Sequence, residues 1–359
     1  MNDRADGVRV LPGTGVHGRS AVLFTDGSGP VSRFAERCVV VDYIVCSIYI
    51  EVVSGSARRL VESACASSLK GATAMASARK NELVVVSGAS TGIGAATARE
   101  LASMGYHVLA GVRTDREADA VRGAGVEPVT LDITVPEHVD ALAERIAGDP
   151  EGRALRALVN NAGIEVNAPV EVLPLDVWRE QFEVNLFGHI AVIQKLLPYL
   201  RRSRGRIVNI SSVGGVAALP IFGAYAGTKF ALEAASDALR REVRAQGVQV
   251  VVVQPGGVRT EMAARSGDVS LELAGRMSAE HRRLYGALVE STVASNAAFL
   301  KRAVPAAKAG AKVARVVTVA RPRTRYTLGT DAAFTIPLAR FLPDRLLDRV
   351  LTPGRRRAG

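Results

Sequence analysis

The chain has 359 residues, 48% hydrophobic and 23% charged, enough to bury one large core with extensions and too apolar for a disordered polymer. The net charge of +11 is local: residues 301–359 hold 14 Lys and Arg against 3 Asp and Glu, so everything before them sums to zero, which argues against a nucleic-acid partner. Cys38, Cys46 and Cys65 all precede residue 75 and the five histidines are scattered; this excludes a disulfide framework and leaves no ligand-like spacing, so no metal is expected.

Residues 1–74 carry no hydrophobic periodicity that extends into a fold. The run Val39-Val40-Val41-Asp42-Tyr43-Ile44-Val45 is interrupted and falls short of the roughly 20 apolar residues of a membrane span. No basic stretch leads directly into an apolar one, as a secretory signal requires. The segment is read as a disordered extension or an over-extended start, and a cytoplasmic protein, at most peripheral to a membrane, is expected.

From Leu83 the pattern becomes regular. Short apolar runs at 83–87, 107–112, 127–131, 156–160, 206–211 and 248–254 alternate with longer stretches of helical periodicity. That alternation predicts an α/β fold over residues 75–330: a single Rossmann-type, doubly wound parallel sheet with helices on both faces. Glycine- and proline-rich turns at 213–223 and 255–257 follow strands, where open α/β sheets place their ligands.

The first run leads into Ser87-Gly88-Ala89-Ser90-Thr91-Gly92-Ile93-Gly94 and then into the helix former Ala95-Ala96-Thr97-Ala98. Gly88, Gly92 and Gly94 let the backbone turn tightly, and the following helix offers free N–H groups to a pyrophosphate. Ser90, Thr91 and Ile93 complete this candidate dinucleotide turn. The second strand ends at Val112-Arg113, with no acidic residue to accept a ribose 2′-hydroxyl. A guanidinium there suits a 2′-phosphate, so NADP(H) is expected to be preferred, with NAD the alternative.

Hydride transfer to a carbonyl leaves an alkoxide and calls for a proton donor beside a cation. Tyr225 and Lys229 lie four apart in a helical stretch and share a face. Ser212 ends the apolar strand at 206–211, and Asn185 interrupts an otherwise apolar helical segment, where a buried amide needs a reason.

With a Gly-x-x-x-Gly-x-Gly turn, this set resembles the short-chain dehydrogenase/reductase family over residues 82–260, and Arg321–Gly329 is similar to the last strand of its hydroxysteroid and retinol dehydrogenase-like members. The resemblance implies an Asn185, Ser212, Tyr225, Lys229 tetrad. Tyr225 would exchange the proton, Ser212 orient the carbonyl, Lys229 hold the ribose hydroxyls and lower the tyrosine pKa, and Asn185 keep a relay water. It also implies cofactor contacts from Asp132 and Ile133 near adenine, from Asn161-Ala162-Gly163 beside the adenosine half, and from Pro255, Gly256, Val258 and Thr260 around the nicotinamide amide.

The uncharged stretch between Ser212 and Tyr225 implies an apolar wall near the reacting carbon, and in this family a helical insertion such as 261–301 closes over the substrate. A bulky lipophilic alcohol or ketone is therefore expected: a steroid, a retinoid or a long-chain acyl compound. A 3-oxoacyl-carrier reductase shares these motifs but lacks the C-terminal extension. A catalytically silent NADP-binding regulator is the reading from another class, and the intact Ser212, Tyr225 and Lys229 oppose it. Assembly as a homodimer or homotetramer is expected. Residues 331–359 interleave apolar and basic side chains, as in a packed helix or a weak membrane-surface contact.

Overall fold

The computed structural model describes residues 8–11, 21–24 and 81–351, and the chain divides into two units, Met1–Ala74 and Met75–Gly359. In the first unit β1 (Val8–Leu11) and β2 (Ala21–Phe24) pair antiparallel, Val8 opposite Phe24. Periodicity gave no sign of this pair, because four residues are too few to establish alternation. The run at 39–45 lies outside the described residues.

In the second unit β3 (Leu83–Val86), β4 (His107–Val112), β5 (Val126–Thr130), β6 (Leu155–Asn160), β7 (Arg206–Ile210) and β8 (Gln249–Pro255) coincide within a residue or two with the six apolar runs. After the two-residue β9 (Val258–Arg259) and β10 (Val304–Pro305), which pair with each other, β11 (Arg325–Leu328) falls where the last strand is expected. The sheet is seven-stranded, ordered β11-β8-β7-β6-β3-β4-β5, and every pairing in it is parallel. The order reverses at β3, so the crevice beyond the carboxyl ends of β3 and β6 is the switch point that binds ligands in such sheets.

Both sheet faces are covered, so the strands read as continuous apolar runs. Val84 and Val86 face one core with Leu101 and Val313, from helices α1 (Gly92–Ser103) and α9 (Ala306–Thr318). Leu83 and Val85 face the other with Leu142 and Leu196, from α3 (Pro136–Ala147) and α5 (Gly188–Ser203). The first pair crosses closely: a Cβ on Gly310 would stand 2.5 Å from the Ala96 backbone. A short α2 (Asp115–Val121) follows β4, and α4 (Leu175–Phe182) and α6 (Gly223–Glu242) complete the framework around the site.

The 261–301 insertion forms two helices, α7 (Glu261–Gly275) and α8 (Ala279–Leu300). The break is a capping site, where the Ser278 side chain accepts the His281 N–H at 3.0 Å. Met277 and Val289 bury against Ile221, which closes the insertion onto the segment before Tyr225. The C-terminal stretch likewise splits, into α10 (Thr330–Phe341) and α11 (Asp344–Leu351), separated by Leu342-Pro343. Phe334 and Phe341 are 73% and 84% exposed. Arg355–357 lies outside the described residues, and among those described no helix is long and apolar enough to cross a membrane.

Candidate active site

The glycine turn is built around one serine. The Ser87 hydroxyl accepts the Asn161 and Ala162 N–H groups at 2.9 and 3.1 Å, and the Asn161 amide donates back to the Ser87 and Gly88 carbonyls at 3.1 and 2.9 Å. These bonds lace the end of β3 to the end of β6. Gly88 and Gly92 sit at φ +61 and +58, a region that disfavours a side chain. A Cβ on Gly94 would come 2.2 Å from the Gly88 carbonyl oxygen. Thr91 occupies the N-cap of α1 without capping it through its side chain, and the first turn holds no acidic residue. The leading N–H groups therefore lack a side-chain partner and fit a pyrophosphate.

Other sequence-predicted cofactor residues group around this turn. Thr260 lies against it, with Cγ2 3.1 Å from where a Gly92 Cβ would be, and caps α7 by accepting the Ala263 N–H at 3.2 Å. Pro255 ends β8, Gly256 donates to the Leu328 carbonyl at 2.8 Å, and Val258 is buried. Desolvation raises the Asp132 pKa, but two Thr134 hydrogen bonds and then the charge of Arg113, at the end of β4, outweigh it and leave it lowered. The Ile133 side chain is buried against Gly188.

Tyr225 and Lys229 start α6, both buried, with the Lys229 ammonium 5.8 Å from the phenol ring centre. Lys229 donates to the Ile210 carbonyl at 3.1 Å. Desolvation pushes its pKa down to about 8, while the Glu165 and Glu233 carboxylates pull the other way. Desolvation chiefly, then the Glu165 charge, push the Tyr225 phenol well above its ordinary value, and a hydrogen bond from Ser212 offsets part of this. The lowering by Lys229 that the resemblance implies is therefore not what the structure shows: burial and Glu165 outweigh it and hold the phenol protonated. Ser212 stands two residues beyond β7 and caps the next turn, accepting the Gly214 N–H at 3.0 Å.

Asn185 sits in a wide π-helical turn, 183–187, between α4 and α5. Its amide accepts the Ile164 N–H at 2.9 Å and donates to the Ile164 carbonyl at 2.9 Å and to Thr228 at 3.2 Å. A π-turn of this kind places an inward amide where a regular helix would not. Sequence reading missed three side chains. Gln181 clamps Val166 as Asn185 clamps Ile164, at 3.1 and 3.0 Å. Glu165 lies between the two clamps. Asp331 accepts the Gly257 N–H at 2.8 Å. Only Gln181 leaves a trace in sequence, as a polar residue on the apolar side of α4; the other two act through contacts formed by folding.

Residues 82–269 match the family model described as short chain dehydrogenase. The chain is 35% identical over 286 residues to human retinol dehydrogenase 16, covering 76% of this chain and 88% of that protein. It is 33% identical over 288 residues to 17-beta-hydroxysteroid dehydrogenase type 6 of Bos taurus, with the same shares. A short chain dehydrogenase from Burkholderia cenocepacia, solved in complex with NADP, superposes with a TM-score of 0.60 at 25% identity, covering 76% of this chain and 99% of that one. The chain belongs to the short-chain dehydrogenase/reductase family: it is a Rossmann-fold, nicotinamide-dependent oxidoreductase of CH–OH groups.

Proposed function

We propose that this oxidoreductase interconverts a secondary alcohol and a ketone, or a primary alcohol and an aldehyde, on a lipophilic substrate, with NADP(H) preferred over NAD(H). The observation that carries the reading is the buried Tyr225–Lys229 pair beside Ser212 at the carboxyl end of β7. Bound nicotinamide supplies or accepts the hydride. Ser212 orients the carbonyl oxygen, and Tyr225 gives its phenolic proton to that oxygen as charge develops. Lys229, held by the Ile210 carbonyl, keeps a positive charge beside the phenol and reaches the ribose hydroxyls. Asn185 holds the loop at Ile164 over this pair. Gly88, Gly92 and Gly94 cradle the pyrophosphate, and Arg113 takes the 2′-phosphate.

Similarity to proteins named for retinol and a hydroxysteroid supports the lipophilic substrate. Purified protein supplied with NADPH is expected to consume it in the presence of retinal or a ketosteroid, read as falling absorbance of the reduced cofactor. A 3-oxoacyl thioester as the sole productive substrate would favour the acyl-reductase reading.

The exposed Phe334 and Phe341, with Arg340, Arg345 and Arg349 on the same segment, support a peripheral contact of α10 and α11 with an anionic lipid surface. Co-sedimentation with anionic vesicles should fall in the double variant Phe334→Ser, Phe341→Ser.

A further inference from the structure

Glu165 lies beside the catalytic pair, and the mechanism above leaves it idle. The loop that carries it is fixed on both sides, because Asn185 clamps Ile164 and Gln181 clamps Val166 through paired amide hydrogen bonds. The carboxyl accepts from the Asn167 amide nitrogen at 2.7 Å and is hydrogen-bonded to Ser266 on α7. Desolvation raises its pKa, against those two bonds and the Lys229 charge.

The bond to Glu165 fixes the orientation of Asn167, whose nitrogen faces the carboxylate. Its oxygen is then turned the other way, buried and without a hydrogen-bond partner, in a residue only 2% exposed. A buried acceptor left unpaired is costly. This residue lines a small cavity with Ser266, Ser270, Thr292, Asn296 and Phe222. The segment before Tyr225 is apolar, as its sequence implies, but α7 and α8 oppose it with hydroxyls and amides. The cavity measures about 10 Å³, about the space taken by one water or one hydroxyl. Phe222 stands three residues before Tyr225, about one helical turn or 5 Å along the axis.

We propose that Asn167, oriented by Glu165 and set beside the α7 serines, forms a subsite for a second hydroxyl on the substrate, close to but distinct from the one at the reacting carbon. This rests on the alcohol–carbonyl reading above and adds to it that the preferred substrates are lipophilic diols and hydroxyketones. The lining selects a neutral group, because Asn167, Ser266, Ser270, Thr292 and Asn296 are all uncharged and offer no countercharge to an anion or a cation. A hydroxyl donates to the unpaired Asn167 oxygen.

The test compares decan-2-ol with decane-1,2-diol and decane-2,4-diol, oxidised with NADP+. A site built to bond a hydroxyl discriminates against the analogue lacking it, so wild type is expected to show at least about a tenfold higher kcat/KM for one diol. That ratio should fall to about one in Glu165→Leu and in Asn167→Leu. The isosteric Glu165→Gln, which keeps the fold if the others do not, should lower it about threefold. Equal kcat/KM for alcohol and diols in wild type would mean that the cavity holds only a water, and a ratio that persists in all variants would equally overturn the proposal. Calorimetry on the complex of Tyr225→Phe with NADP+ separates the two readings, since binding there needs no turnover. If wild type oxidises none of the alcohols, the activity reading fails while diol binding about tenfold tighter than decan-2-ol upholds the subsite. Equal or absent binding overturns it.

Discussion

The Asp331 carboxylate accepts a hydrogen bond from the Gly257 backbone N–H at 2.8 Å, tying the first turn of α10 to the loop that follows β8. The contact is close on a second side, since a Cβ on Gly256 would stand 1.7 Å from an Asp331 carboxylate oxygen. The loop so held continues into Val258 and Thr260, which we assign to the nicotinamide end of the cofactor. Losing a hydrogen bond to a charged acceptor is worth about 1.5–3 kcal/mol. Asp331→Ala should therefore raise the cofactor KM about tenfold, with a smaller change in kcat, and Gly256→Ala should lower the melting temperature as well. Steady-state kinetics with varied cofactor and thermal unfolding check both.

That relationship also marks where sequence reading ends. The phosphate turn, the strands and the Tyr225–Lys229 pair are legible because each is local: a glycine spacing, an apolar run, an i,i+4 helix face. Asp331 and Gly257 are brought together only because β11 pairs with β8, and the meeting of Glu165 with Ser266 depends on how α7 folds back. Neither contact follows from periodicity. The sequence marks 261–301 as a helical insertion, and the Ser278 cap divides it into two helices.

Cofactor preference turns on the end of β4. Val112 is buried while Arg113 is exposed, its backbone N–H donating to the Glu117 carboxylate at 2.8 Å. With Val112 where an NAD-preferring enzyme carries an acidic side chain, Arg113 offers a 2′-phosphate a guanidinium, beside the Glu117 carboxylate that holds its backbone N–H. Arg113→Ala should raise the KM for NADP at least about tenfold and leave that for NAD nearly unchanged. Adding Val112→Asp should carry the preference to NAD. A higher kcat/KM for NADH than for NADPH in the wild type would contradict the assignment.

Lys229 ties pH to stability. Its folded pKa is pushed down to about 8, from the ordinary 10.5 of a lysine, because burial penalises the charge. Between those values the unfolded chain binds more protons than the folded one, so stability contributed by this residue rises with pH across that window and is least below pH 8. Relative to Lys229→Met, wild type should gain on the order of 3 kcal/mol between pH 8 and 10.5, from the size of the shift. Urea unfolding of both proteins at the two ends of the window measures it. A flat difference would mean that Lys229 titrates normally in the folded protein.

Residues 1–74 form their own unit, and the sheet that carries the site begins at Leu83. A chain starting at Met75 should be soluble and keep its kcat/KM within about twofold, since the second unit holds the whole seven-stranded sheet. Insolubility of that chain alone would show the extension to be structural.

The central claim is that Tyr225 is the group that exchanges the proton. Tyr225→Phe removes the hydroxyl and keeps the ring, in a buried position whose packing is otherwise unchanged. Turnover and cofactor affinity should both be measured in this variant, on the same alcohol and carbonyl pair. We expect turnover to fall at least about a hundredfold, the scale of a lost general acid, with the dissociation constant for NADPH essentially that of the wild type. Near-normal turnover in Tyr225→Phe would contradict the account.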